Sequence, residues 1–290
     1  MNQHGPSLPQ ISTFSAGDTL DDSATRRFRE EVLRFYHEHG RHEMIWRHTT
    51  DPYQILVSEL MLQQTQVERV EKKFPAFVTA FPNFASLAAA PLHDILSAWQ
   101  GMGYNRRAIS LKKIAVRVMD EYDAVLPQEV EILATFPGIG SATASSIAAF
   151  AFNAPVVFIE TNIRRVFIHV FFSDRETVRD TEILPLVGLT LDRENPRVWY
   201  WSLFDLGAAL KRSVTNPNRR SAHYTRQAPF EGSDRRVRGQ IIKALVAGSG
   251  LSCDALTGRT GEEAGRVNRI VAALETEGFL VREGELVYLA

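Results

Sequence analysis

The chain has 290 residues, 44% of them hydrophobic, and its 33 Lys plus Arg against 34 Asp plus Glu leave a formal net charge of −1. That length and apolar content support one sizeable core and a second small one, while the charge balance excludes polyanion binding through total charge, so any nucleic-acid contact has to come from a local basic patch. The single cysteine, Cys253, excludes a disulfide framework and any site built from several thiolates of one chain. No apolar run reaches the roughly 20 residues of a membrane span and no leader pattern opens the chain, so the expected location is cytoplasmic.

Residues 1–24 are rich in Ser, Gly, Pro, Asn and Gln and read as a loose tail. From 25 to 225 the pattern is helical almost throughout. Asp51-Pro52 reads as an N-cap followed by a first-turn proline, and Pro91 opens "PLHDILSAW" in the same way. Short connections at "FPNF", "QGMGY", "LPQE" and "FPGIG" separate the helices, the signature of a compact all-α domain; "APVVFIE" is the one isolated β-like run. Residues 226–236, "RQAPFEGSDRR", read as a linker. In residues 237–290, two amphipathic helices, "VRGQIIKALVAG" and "GEEAGRVNRIVAALETEG", precede "FLVREGELVYLA", which alternates about Glu283-Gly284 like a hairpin. That order predicts a small winged-helix-like α+β domain behind a mainly α one.

Three features carry chemistry. In "SELMLQQTQ", Glu59 stands three and four residues after Leu56 and Ile55 and three before Leu62, so helical spacing places it on the apolar stripe and burial pushes it toward its protonated form. In "FPGIGSATASSIAAF", Gly138 and Gly140 allow a tight turn, and the helix starting at Ser141 offers free N–H groups to a phosphate oxygen; a plain turn between packed helices explains a bare GxG equally well. In "VVFIETNIRRVF", Glu160 precedes the helix-capping Thr161-Asn162, where the helix dipole favours its ionised form. Two carboxyls with pKa values driven apart supply the acid and the anion that glycosidic cleavage needs. Taken singly, an ordinary cap explains Glu160 and a solvated helix glutamate explains Glu59.

"SELMLQQTQV", "WQGMGYNRRA", "FPGIGSATA", "IETNIRRV" and "DLGA", in that order from about Trp46 to Tyr224, resemble the helix-hairpin-helix (HhH-GPD) DNA glycosylase superfamily, most closely its MutY-type adenine glycosylases. The resemblance implies a two-lobed helical fold acting on double-stranded DNA with a mismatched or damaged base, as a monomer. A flipped adenine would be protonated by Glu59 and its sugar cation stabilised by Glu160. Gln64, with Gln63 and Thr65 beside it, and Tyr104 match residues that wedge into the base stack; Trp46 and Arg47 match a pair near the pocket. Gly138, Gly140, Ser141 and Thr143 match the phosphate-gripping hairpin, where main-chain oxygens at Phe136 and Ile139 would hold a monovalent cation, Na or K.

Four departures from the family pattern stand out. Glu160 replaces an aspartate and carries one more methylene. Ala142 stands where the bifunctional endonuclease III branch has a Schiff-base lysine, which predicts no AP lyase activity. Lys211, Asn218, Ser221 and Gln227 occupy the C-x6-C-x2-C-x5-C positions of the iron–sulfur ligands, so no cluster is expected and no cofactor is required. Residues 237–290 do not resemble the Nudix-like domain of MutY-type enzymes. A local basic patch is nonetheless present: Lys211, Arg212, Arg219, Arg220, Arg226, Arg235, Arg236 and Arg238 follow "DLGA", with Arg219 and Arg220 the first choice for phosphate contacts, and Arg106 and Arg107 extend the argument to Tyr104. His37, His39 and His42 read as a solvated helix end. The reading is a monofunctional base-excision glycosylase removing a mispaired base, most of all adenine opposite 8-oxoguanine or guanine; a mismatch thymine or uracil glycosylase and a non-catalytic DNA-binding regulator are the alternatives.

Overall fold

The computed structural model describes residues 11–13, 21–225, 229–248 and 250–290. The chain divides into two compact units, each taken over its described residues: Met1–Ile55, Gln128–Ala134 and Gly140–Arg226 form the first, and Leu56–Pro127, Thr135–Ile139 and Gln227–Ala290 the second.

The first unit is helical. α1 (Asp22–His39) starts where the Asp21 carboxylate accepts the Ala24 N–H at 2.7 Å, inside the stretch expected to be tail, and buries Phe28, Val32 and Phe35 at helical spacing. α7 (Val130–Leu133), α8 (Ser141–Phe152), α9 (Thr161–Phe171), α10 (Asp180–Thr190) and α11 (Pro196–Ser213) complete it. Its core has Phe28 at the centre, edge-on to Phe167, Phe171 and Trp199 at centroid distances of 5.8, 5.1 and 5.8 Å. The run "APVVFIE" is not a strand: residues 154–160 have no ladder, and the Tyr200 hydroxyl instead donates to the Val156 carbonyl at 2.5 Å. Of its apolar residues Phe158 is buried in the core, while Val157 is exposed.

α2 (Pro52–Leu62) begins where the Asp51 side chain accepts the Tyr53 N–H at 3.0 Å. The second unit continues with α3 (Val67–Ala80), α4 (Phe84–Ala89), α5 (Leu92–Ala98) and α6 (Arg106–Glu121), around Phe74, Phe77, Trp99, Leu111 and Ile114. Its last part is α12 (Asp234–Ala247), β1 (Leu251–Ser252), α13 (Cys253–Thr260), α14 (Ala264–Thr276), β2 (Leu280–Glu283) and β3 (Leu286–Leu289), with antiparallel sheet order β1-β3-β2. Glu283 pairs with Leu286 across a turn whose Gly284 has φ +62°. The winged-helix-like pattern is therefore present with three helices where two were expected. α13 is short and buries few residues; Ser252 caps its start through the Ala255 N–H and Gly261, at φ +67°, ends it. α12 begins at Asp234, inside the expected linker, while residues 226–228 of that linker lie outside the described residues.

Candidate active site and nucleic-acid interface

Glu160 is the N-cap of α9. Its Oε1 accepts the N–H groups of Asn162 at 2.6 Å and Ile163 at 2.9 Å, while Oε2 receives only the Asn162 side-chain amide at 3.3 Å. Glu160 itself, one residue before the expected Thr161-Asn162, forms the cap, and burial opposes the ionisation that the helix start favours. Burial raises the carboxyl's pKa above the ordinary 4.5, against the opposing pull of the two N–H donors and of Arg165 and Arg164. A helix N-terminus stabilises an anion locally, whereas desolvation depends on everything packed around it, and here desolvation wins.

The residues "DLGA" explain how Glu160 is held. The Asp205 carboxylate accepts the Arg41 main-chain N–H at 2.8 Å and Arg47 Nη1 and Nη2 at 2.7 and 2.8 Å. Burial alone would raise its pKa, yet these arginines hold it below the ordinary carboxylate range. Arg47, expected near a pocket, thus forms a buried ion pair, with Trp46 also in the core. Two residues on, Gly207 brings α11 against α9: a Cβ there would stand 2.5 Å from the Asn162 carbonyl oxygen and 2.6 Å from its Cβ. Arg165 bridges the two helices, donating to the Gly207 carbonyl at 2.7 Å and to Asn162 Oδ1 at 2.8 Å. This orients the Asn162 amide toward Glu160, a chain of contacts the sequence did not reveal.

Glu59 lies on α2 between buried Ser58 and Leu60 but is itself only half-buried. Ile55 and Leu56, four and three residues before it on the same helix, are buried, so Glu59 stands at the edge of that apolar face with some access to water. The same helix ends in the 63–65 turn, where Gln64 adopts φ +53°, uncommon for a residue with a side chain.

Arg107, which the sequence placed with the surface arginines, is 6% exposed and organises this region. Its Nη1 donates to the carbonyls of Leu60, Met61 and Gln63 at 2.8, 2.8 and 2.6 Å; its Nη2 reaches Thr65 Oγ1 at 3.0 Å and the Gly103 carbonyl at 3.0 Å. One guanidinium therefore caps the end of α2 and fastens the turn after it to the 101–104 loop. Burial lowers its pKa to about 10, so it stays charged at neutral pH. In that loop Gly101, Gly103 and Tyr104 all have positive φ, +85°, +71° and +46°. A third loop joins them: Gln63 Nε2 donates to the Gly138 carbonyl at 3.1 Å, and Gly138, at φ +79°, has no room for a Cβ because Ser110 Oγ would lie 2.7 Å away. The structure thus ties together three of the predicted DNA-contacting loops, 63–65, 101–104 and 136–139. Beyond the last, Gly140 and Ser141 are exposed at the start of α8, which has no acid in its first turn; Thr143 is half-buried there.

The predicted basic residues divide. Arg219 is exposed. Arg220 turns inward, donating to the carbonyls of Phe172, of Ser173 at 2.9 Å and of Ile168 at 3.2 Å, and so caps the end of α9. Arg106, exposed, pairs with Glu277 at 2.5 Å, Arg238 shares that carboxylate, Arg236 pairs with Glu262, and Arg235 meets Tyr104. Arg226 lies outside the described residues.

Residues 57–184 match the model of the HhH-GPD superfamily base excision DNA repair protein. Over 232 residues the chain is 36% identical to the adenine DNA glycosylase of Mycolicibacterium smegmatis, covering 74% of this chain and 79% of that protein. The chain belongs to the HhH-GPD superfamily. The adenine DNA glycosylase of Mycobacterium tuberculosis, another relative, is 31% identical over 248 residues, covering 77% of this chain and 80% of its own length. The HhH-GPD fold is shared with the solved structure of a thermostable thymine-DNA glycosylase, at a TM-score of 0.58 and 23% identity over 66% of this chain and 88% of the other. The region matched by the superfamily includes Glu59, all three tethered loops and Glu160.

At the positions of the superfamily's iron–sulfur ligands the donor set does not fit a cluster. Of the four residues, Lys211 and Ser221 offer no thiolate, Gln227 lies outside the described residues, and buried Asn218 uses its amide to donate to the Thr161 carbonyl at 2.9 Å. The segment is fastened by hydrogen bonds instead: Val178 N–H donates to the Arg220 carbonyl at 2.8 Å, Ala222 N–H to the Val178 carbonyl at 2.9 Å, and Arg165 Nε to Asn216 Oδ1 at 3.1 Å.

Proposed function

We propose that the chain is a monofunctional DNA glycosylase that hydrolyses the N-glycosidic bond of a mispaired adenine in duplex DNA, with the 8-oxoguanine or guanine opposite it as the mismatch. The observation that carries this reading is the Glu160 carboxylate, anchored by one oxygen to the start of α9 and flanked by Arg165 and Arg164, in a chain 36% and 31% identical to two adenine DNA glycosylases. With Oε1 fixed by two main-chain donors, Oε2 has lone pairs left to face a cationic sugar.

Glu59 is the general acid. It gives its proton to the flipped purine, the C1′–N bond breaks, and the base leaves neutral. Glu160, ionised, stabilises the oxocarbenium-like sugar; water adds to C1′ and its proton returns the acid to its starting state. The 63–65 and 101–104 loops enter the base stack through Gln64 and Tyr104. The 136–143 hairpin grips a phosphate; the carbonyls of Phe136, which accepts the Ile139 N–H at 3.1 Å, and of Ile139 would hold a monovalent cation, which would add positive charge toward that phosphate. Arg219 adds a phosphate contact. With Ala142 in place of an amine, the product is an intact abasic strand. No helix among the described residues is long and apolar enough to cross a membrane. The protein acts as a monomer in the cytoplasm.

The test is incubation with duplexes carrying A opposite 8-oxoguanine, A opposite G, T opposite G and U opposite G, followed by alkali to reveal abasic sites. Cleavage at adenine, lost in Glu59→Gln, supports the reading. Cleavage of the pyrimidine mismatches alone assigns a thymine or uracil glycosylase, and tight binding without product assigns a DNA-binding regulator. Strand breaks before alkali, with an imine trapped by borohydride, contradict the monofunctional assignment.

A further inference from the structure

The 101–104 loop is built against its own backbone preference. Two glycines ease it, but Tyr104 at φ +46° sits where a Cβ-bearing residue is disfavoured, so surrounding groups must hold it. Its main chain is held from within the helical part: Trp99 Nε1 donates to the Gly103 carbonyl at 3.1 Å, as does Arg107 at 3.0 Å.

The ring is held by something else. Arg235, in the first turn of α12, donates to the Tyr104 hydroxyl at 2.5 Å, and its guanidinium carbon lies 5.6 Å from the ring centroid, with that of Arg107 at 5.4 Å. A second tie fixes the winged-helix-like part beside it: Glu277, at the end of α14, takes Arg106 Nε at 2.8 Å and Nη2 at 2.5 Å and also binds Arg238 of α12. Arg106 stands two residues from Tyr104, so both ties converge on the same loop.

We infer that Arg235 is a positioning residue that sets the direction of the Tyr104 ring before DNA arrives, which gives the C-terminal winged-helix-like part a task other than reading a groove. This inference rests on the proposal that Tyr104 enters the base stack. A phenol whose hydroxyl and ring are both engaged presents one rotamer, and less conformational freedom is then lost on entering the duplex. A cation–π contact and a charge-assisted hydrogen bond together correspond to roughly a tenfold change in the equilibrium they bias.

The experiment is a double-mutant cycle of Arg235→Gln and Tyr104→Phe in the full chain. Two readouts are used: 2-aminopurine fluorescence in a duplex carrying the fluorophore beside the mismatch, and amide hydrogen exchange of residues 101–107 in the free protein. Tyr104→Phe keeps the ring and removes only the hydroxyl, so it folds even if the arginine variant proves fragile. The expected result is roughly tenfold weaker base unstacking and faster exchange confined to residues 101–107 in Arg235→Gln, with a smaller loss once Tyr104→Phe is present, because only the ring contact is then left to remove. Effects of the two changes that simply multiply, or an Arg235→Gln protein with wild-type unstacking and exchange, overturn the inference. If the wild-type protein makes no abasic sites, the glycosylase reading fails, while the exchange measurement still decides whether Arg235 orders the loop.

Discussion

Replacing Glu160 with glutamine should weaken the enzyme and strengthen the protein. Glutamine keeps an Oε1 that accepts the Asn162 and Ile163 N–H groups at 2.6 and 2.9 Å, so the cap of α9 survives; Glu160→Ala forfeits it, at about 1 kcal/mol. What glutamine removes is a carboxyl that burial disfavours as an anion, at the expense of one weak contact, the 3.3 Å approach of the Asn162 amide to Oε2. Because the folded-state pKa lies above the ordinary 4.5, the native protein retains a proton over a pH interval where the unfolded chain has released it. Stability linked to this group is complete below pH 4.5 and is lost as pH rises through the raised value. Thermal unfolding of wild type and Glu160→Gln from pH 4 to pH 8 should give nearly equal midpoints at the acid end and a higher midpoint for the variant at neutral pH. Single-turnover excision should fall by about 10²- to 10³-fold, the usual cost of losing one preorganised electrostatic group. A variant less stable than wild type at pH 7.5, or an offset independent of pH, refutes the claim that desolvation dominates at Glu160.

Asp205→Asn leaves the buried Arg47 guanidinium without its counter-ion and should cost about 3–5 kcal/mol in denaturant titrations. Asp205 has a depressed pKa, so its contribution is present above the ordinary 3.8 and is lost as pH falls through the lower folded-state value; the acid limb of the stability profile should flatten in the variant. Gly207→Ala drives a methyl into the Asn162 main chain and should destabilise by about 1–3 kcal/mol while lowering excision through Glu160. Gly239→Ala, in α12 with nothing within 4 Å of the added methyl, should instead stabilise by about 0.5–1 kcal/mol, as read by the unfolding midpoint. Arg107→Lys replaces a fork by three donors and should cost about 3 kcal/mol, with faster hydrogen exchange at residues 62–65 and 101–104.

Local chemistry was legible in the sequence and tertiary chemistry was not. The caps at Asp51 and Glu160, the tight turn at Gly138 and the terminal hairpin at Gly284 follow from residue types within a few positions of each other, and the structure has each of them. Arg107 was misplaced because its partners are main-chain carbonyls 44 to 47 residues earlier, and carbonyls leave no mark on a sequence. The burial that raises the Glu160 pKa is hidden for a related reason: a helix dipole is visible from the next few residues, desolvation only from the fold. "CDALTGRT" carries no helix signal in the sequence because a short helix that buries Leu256 and Thr260 shows little periodicity. The carboxylates that engage Arg236 and Arg238, Glu262 and Glu277, lie 26 and 39 positions away, so an arginine-rich stretch resembled a phosphate-binding patch although several of its charges are balanced internally.

The interleaving of the two units has a consequence for biosynthesis. The first unit has all its segments once Arg226 has been made, whereas the second, begun at Leu56, awaits residues as late as Ala290. On the ribosome the second unit is therefore begun long before the segment that completes it, leaving its α5 and α6 surfaces dependent on α12 and the end of α14, still to be translated. A chain truncated before β2 would expose that unfinished face, so it should aggregate rather than behave as a slightly shortened enzyme.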